Sequence, residues 1–324
     1  MTTDTHSPKR LWLHALLFVL TFLSAVISQI SLDREETFIT LIHHLVQNPW
    51  RLLEGMPFAI ALMTILLAHE MGHYITAKKF DVDQSLPYFI PAPTLFGTLG
   101  AVIFMRSQPP HRRALLHVAV NGPYAGLIFA IPLAAWGLAH SMPIVPETLG
   151  NGPYLWFGSS LLFKVLEKLF SPNGSDVVLH PIAFAAWVGL FVTSLNLIPV
   201  GQLDGGHVAY ALFGRFHKVL SQATVFALLG FGIIMGLDSD RGWVWIFWAI
   251  MLLFVLGTKH PPVVDEMIPL SRAERINGWV ALLTFIVTFV PVPMEFVNSG
   301  FDNPVPPNHP LPQTETIEGE EFNF

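Results

Sequence analysis

Residues 11–32 run for 22 positions without one Asp, Glu, Lys or Arg, directly after Lys9 and Arg10. A bilayer core about 30 Å thick takes roughly 20 apolar residues per helix, whereas the apolar part of a cleaved signal segment is only about 7–15 residues. The run is therefore read as a retained membrane span. Further apolar runs follow at 56–77, 114–139, 178–200, 219–237, 242–258 and 277–297, with Glu70 and Glu295 as their only Asp, Glu, Lys or Arg. The sequence thus predicts an all-α polytopic membrane protein with about seven transmembrane helices. Composition agrees, because 52% of the 324 residues are hydrophobic and only 12% are charged. An ordinary soluble domain carries about twice that charge. A soluble enzyme and a disordered scaffold are poor readings of such a chain. Seventeen Lys and Arg against 23 Asp and Glu give no basic field for nucleic acid. The absence of cysteine excludes disulfides, thiolate metal ligands and a Cys nucleophile.

The positive-inside rule orients the spans. With the N-terminus in the cytoplasm, twelve of the 17 Lys and Arg fall on the cytoplasmic side, and Arg34, Arg51, Lys164, Lys168 and Arg241 fall outside. All but one of the net negative charges belong to residues 298–324, a Pro-rich tail read as disordered and non-cytoplasmic. The expected setting is a cell (inner) membrane. Residues 150–175 read as an amphipathic helix on the outer surface.

Between the second and third spans, residues 86–93 hold Pro87, Pro91 and Pro93, which forbid a regular helix. Residues 94–105 are apolar and β-prone, with Gly97 and Gly100 at bends. Two readings fit: an interfacial loop, or a small membrane-associated β segment that re-enters the bilayer and leaves an edge open to an extended peptide.

The second span ends in His69-Glu70-Met71-Gly72-His73. Positions i and i+4 share one helix face, so both imidazoles can hold one zinc ion, with Glu70 placed to take a proton from its water. Chance yields H-E-x-x-H in roughly 2 of 100 chains of this composition. The bland alternative is two helix-packing histidines beside a snorkelling acid. It is disfavoured because an acid at bilayer depth costs roughly 2.5–3.5 kcal/mol and such residues default to function. A catalytic zinc usually has three protein ligands. Glu147 and Glu167 fall on the wrong side, and Asp265 and Glu266 read as loop charges. Asp204 ends the fourth span at the level of the histidines, after Pro199 and Gly201 and before Gly205 and Gly206, which loosen the helix end. A capping Asp is the alternative there. Zn²⁺ would also neutralise this acid.

His69-Glu-Met-Gly-His73 in one span and Asn196-x-x-Pro199-x-x-x-x-Asp204-Gly in a later one resemble the site-2 protease family, zinc metalloproteases that cut within membranes. The resemblance covers residues 55–215. It implies His69, His73 and Asp204 as ligands of one Zn²⁺, Glu70 as catalytic acid/base, and Asn196 as a holder of the substrate carbonyl or its oxyanion. It also implies that residues 94–105 present an edge to the substrate. Where relatives carry G-P-x-x-N, this chain has Gly122-Pro123-Tyr124-Ala125-Gly126, and Asn121 is the amide that would substitute. No PDZ-like or nucleotide-sensing module is found. His207 reads as a cytoplasmic surface histidine, with a place behind the metal ligands as the alternative, and the run from His260 to Asp265 has no role that the sequence explains.

The expected organisation is an N-terminal span and loop (1–54), a catalytic membrane core (55–215), further spans (216–297) and the tail. The expected function is intramembrane zinc endopeptidase, acting on a membrane-protein substrate with a transmembrane helix, within the lipid bilayer and with no nucleic-acid partner. The alternatives are a membrane zincin acting on soluble or lipidated peptides, a catalytically silent helix-binding adaptor, and a metal transporter. The transporter reading lacks an exit path for zinc and a second half mirroring the first.

Overall fold

The computed structural model describes residues 8–30, 43, 45–144, 154–172, 177–237 and 240–297. The acidic tail, Glu147 and most of the loop after the first span lie outside these residues. Helix α1 covers Pro8–Ser28, α2 Leu52–Lys79, α3 Arg112–Ala139, α4 Leu161–Phe170 and α5 Pro181–Asn196. Helix α6 covers Asp204–Phe213, α7 His217–Gly236, α8 Trp243–Met251 and α9 Arg272–Thr288; a π turn over Leu252–Leu256 prolongs α8.

Four stretches are long and apolar enough to cross a membrane: Leu11–Ser28, Pro49–Lys79, Arg112–Ala139 and Asp204–Gly236. The other predicted spans form shorter helices, Pro181–Asn196, Trp243–Leu256 and the 17-residue α9. The span expected at 277–297 is corrected most clearly. Pro291 and Pro293 cannot extend a helix, so Phe289 turns extended (φ −63°, ψ 132°) and residues Met294–Val297 become a strand. That strand pairs antiparallel with Tyr154–Phe157, inside the segment expected to be an amphipathic helix. Among the described residues of that segment the α-helix is Leu161–Phe170, with Ser160 as its N-cap.

Helix α5 is short but central, packed between α2 and α3. Its residues from Ala183 to Leu195 are nearly all buried, as expected of a helix that is apolar all round. Trp187, Leu190, Phe58, Leu62 and Ile65 form the middle of the core. Small residues set the helix spacing. A Cβ on Gly137 of α3 would lie 2.4 Å from the backbone nitrogen of Ala183, so only glycine admits α5 there.

The β segment is a hairpin of β1 (Tyr88–Pro91) and β2 (Thr98–Val102), paired Tyr88 to Val102 and Phe89 to Ala101. It lies partly upstream of the expected 94–105, because the prolines that forbid a helix still permit a strand. Gly97 (φ 71°) and Gly100 (φ 98°) take conformations that other residues avoid. The two edges differ. Helix α1 covers β1, with the His14 ring 4.1 Å from Tyr88, Phe18 edge-on to Phe89, and Ser24 Oγ donating to the Ala92 carbonyl at 3.1 Å. Pro87 and Pro91 further deprive that edge of donors. The outer edge of β2 pairs with no strand among the described residues, and Leu99 on it is 70% exposed.

At one end of the bundle Arg113 Nε donates to both carboxylate oxygens of Glu274 at 2.9 Å, and Ser271 with Glu274 forms a capping box for α9. Partial burial alone would raise the Glu274 carboxyl. The Ser271 N–H and the Arg113 guanidinium outweigh it and hold the group at about 2. Stability from this acid is therefore present above its unfolded value and disappears as pH falls through about 2. Glu274→Gln should lower the unfolding midpoint in detergent by about 2–4 °C at pH 7. Thermal unfolding from pH 7 to acid should show the gap to the parent chain closing.

Candidate metal centre

His69 and His73 project from the same face of α2, and Asp204 opens α6, the helix that follows the break after Asn196. The break is tight. A Cβ on Gly205 would lie 1.9 Å from the Leu197 carbonyl oxygen, and one on Gly206 would lie 2.4 Å from the Gly201 oxygen. Gly201 itself takes φ 56°. These glycines fold the start of α6 back on the end of α5, which lifts the Asp204 carboxylate to the histidines. Ser221 of α7 pins the turn by accepting from the Gly201 N–H at 3.3 Å.

The Asp204 Oδ2 lies 3.2 Å from His69 Nε2 and 3.3 Å from His73 Nε2, and one donor atom from each residue falls within 4.8 Å of the others. Charge-assisted N–H···O bonds are shorter, about 2.7–2.9 Å. Ligands held tetrahedrally on zinc at about 2.0–2.1 Å are separated by roughly 3.3 Å. The two Asp–His spacings fit ligands that share one zinc ion. His73 Nδ1 donates to the Val118 carbonyl of α3 at 2.8 Å, which leaves Nε2 free as a ligand nitrogen. All three residues are largely buried, as is Glu70 at 5% exposure. Glu70 interacts electrostatically with His69, His73 and Asp204. Asn196, the last residue of α5, places Nδ2 3.3 Å from His69 Nε2. Among the described residues this is the one such grouping of His, Asp and Glu. Glu266, an alternative third ligand in the sequence, accepts from the Tyr210 hydroxyl at 2.6 Å, and Asp265 Oδ1 accepts from the Met267 N–H.

The sequence pattern of peptidase family M50 matches residues 57–237. The chain belongs to this family. The match accords with the likeness to site-2 proteases drawn from the two motifs. Over 243 residues the chain is 29% identical to the probable zinc metalloprotease EGY1, chloroplastic, of Arabidopsis thaliana, covering 74% of this chain and 43% of that protein. It is 29% identical over 256 residues to EGY2 of the same plant, 76% of this chain and 44% of the relative. It is 31% identical over 251 residues to EGY3 of Oryza sativa subsp. indica, 73% and 42%. The chain spans under half the length of these relatives. Zinc is the metal that both the relatives' names and the His-His-Asp donor set favour.

Three features escaped the sequence. Gly122 and Gly126 of α3 make room for the imidazoles: a Cβ on Gly122 would lie 2.0 Å from His73 Nε2, and one on Gly126 would lie 3.4 Å from His69 Nδ1. The segment from Asn121 to Gly126 was informative as small residues facing a ligand-bearing helix, a signal overshadowed by its missing Asn. Asn121 does not reach the centre; its Nδ2 donates to Thr76 Oγ1 at 2.8 Å, one turn beyond His73. His207 is buried rather than on the surface, because the loop bearing His260 folds over α6 and brings His260 Nε2 within 2.6 Å of its Nδ1. Gly122→Ala should displace the His73 ring and strip metal from the purified protein, to below a tenth of the parent content by elemental analysis. Asn121→Ala should leave most of the metal bound.

Proposed function

We propose that the chain is an intramembrane zinc endopeptidase that hydrolyses a peptide bond within or near a transmembrane segment of a membrane-protein substrate. The observation that carries this reading is the buried His69–His73–Asp204 cluster with Glu70 beside it, set in apolar helices. Bound zinc supplies a Lewis acid for the scissile carbonyl and lowers the pKa of water toward 7. Glu70 accepts a proton as the water oxygen bonds to the carbonyl carbon. It then delivers that proton to the amide nitrogen as the C–N bond breaks, leaving a carboxylic acid and an amine. Asn196 Nδ2, beside His69, is placed to donate to the oxyanion.

The hairpin supports a membrane substrate over a soluble peptide. A transmembrane helix must unwind before its amides can be attacked, and unpaired backbone in lipid is costly. The open edge of β2 offers replacement hydrogen bonds to an extended segment. We further propose that seven segments cross a cell membrane with the N-terminus cytoplasmic. In support, α5 and α8 with its π turn are apolar helices, and α9 packs against α3, α4, α5 and α6. Lys78, Lys79, Arg112 and Arg113 gather at the end that carries the metal centre, and Arg241 pairs with Glu295 at the other.

Co-expression with single-span candidate substrates tests the function. Glu70→Gln should keep its zinc and lose cleavage, and Asn196→Ala should slow turnover by about 10²–10³-fold. Retained cleavage by Glu70→Gln would refute the mechanism. Leu99→Pro should reduce cleavage with zinc unchanged, as read by product blotting and elemental analysis.

A further inference from the structure

The turn between α6 and α7 borders a cavity of about 210 Å³ that has no part in the chemistry above. Tyr210, Arg215, His217, Lys218, Lys259 and His260 line it, and no lining residue is acidic. Gly214, in the left-handed region at φ 57°, makes the turn that brings Arg215 and Lys218 to face Lys259. Arg215, Lys218 and Lys259 are exposed, and none of them forms a salt bridge with another described residue. The nearby acid, Glu266, is engaged by the Tyr210 hydroxyl. The floor is rigid: the His260 ring stacks on Tyr210 at 4.2 Å and 11°, and His260 is hydrogen-bonded to buried His207. Three cations thus converge on a built cavity that wants an anion.

What adjoins the cavity decides which anion. Val219, Ala223 and Phe226 are spaced four and three residues apart on one face of α7, and Phe216, the N-cap residue of that helix, precedes Val219 by three. All four are exposed, the Phe and Val side chains to more than 60%. This face begins at the cavity and runs along a stretch long and apolar enough to cross the membrane. A free phosphate would use the cations and leave this face unexplained. A phospholipid would use both, with its headgroup among the basic side chains and its acyl chains along the helix. We propose that the cavity binds the headgroup phosphate of an anionic membrane phospholipid. This binding is independent of the hydrolytic reading, since no residue of the cavity belongs to the metal centre.

The test uses the full chain purified in neutral detergent. Native mass spectrometry compares phosphatidylglycerol with phosphatidylcholine of identical acyl chains, and thermal unfolding compares phosphatidylglycerol with inorganic phosphate. Phosphatidylglycerol should be retained about ten-fold or more over phosphatidylcholine, given the attraction of each basic residue for anionic lipid. The combined Arg215→Gln, Lys218→Gln and Lys259→Gln variant should lose that preference. A control carrying Lys78→Gln, Lys79→Gln and Arg106→Gln should keep it. Equal retention of the two lipids by the parent chain, or equal loss in both variants, would overturn the site. Inorganic phosphate matching the thermal shift of the lipid would overturn the lipid assignment. Should the triple variant fail to fold, Lys259→Glu alone, at an exposed loop position, must weaken the preference; an unchanged preference overturns the proposal.

Discussion

A carboxylate buried among apolar helices needs a counter-charge, and the position of Asp204 between two imidazoles imposes that need on the whole bundle. One dication held by His69, His73 and Asp204 would satisfy it and leave Glu70 as the acid beside the centre. Much of the architecture serves this arrangement. The glycines after Asn196 let α6 begin against the end of α5, Gly122 and Gly126 leave room for the rings, and the Val118 carbonyl fixes the tautomer of His73. Burial is uneven across the bundle: α5 is buried nearly throughout, whereas only 17% of the Leu11–Ser28 window is covered.

Local chemistry was the legible part of the sequence. H-E-x-x-H works within one helix, so its geometry follows from the helical repeat alone, and the break around Asp204 announces itself through Pro199 and Gly201 before it and Gly205 and Gly206 after it. Helix existence was legible for the same reason, since long charge-free runs have few other fates. Helix ends were less so. The run from 277 to 297 carries a single charge, Glu295, but Pro291 and Pro293 stop α9 early, and the strand that follows depends on a partner about 140 residues upstream. Nothing local marks such a pairing.

The histidines off the metal centre show the same limit. His207 follows Gly206 and looks exposed when the loop that covers it is not considered. His260 sits 53 residues away, and their contact exists because the segment after Gly257 returns across α6. Asn121 illustrates the reverse error. Its amide suggested a role at the centre, but the helix repeat points it at Thr76, where it ties α3 to α2 just beyond the ligands.

The open edge of β2 also sets a length requirement on anything that pairs with it. Five residues in a strand extend about 17 Å, whereas the same five in a helix rise about 7.5 Å. A transmembrane helix that lends five residues to this edge must therefore accommodate roughly 9 Å of extra chain. It can do so by sinking, by tilting, or by drawing its flanking loop toward the bilayer. A substrate anchored rigidly at both membrane surfaces has none of these means. On the proposed function, slack next to the scissile segment, as much as its residues, would then determine which helices the hairpin can receive.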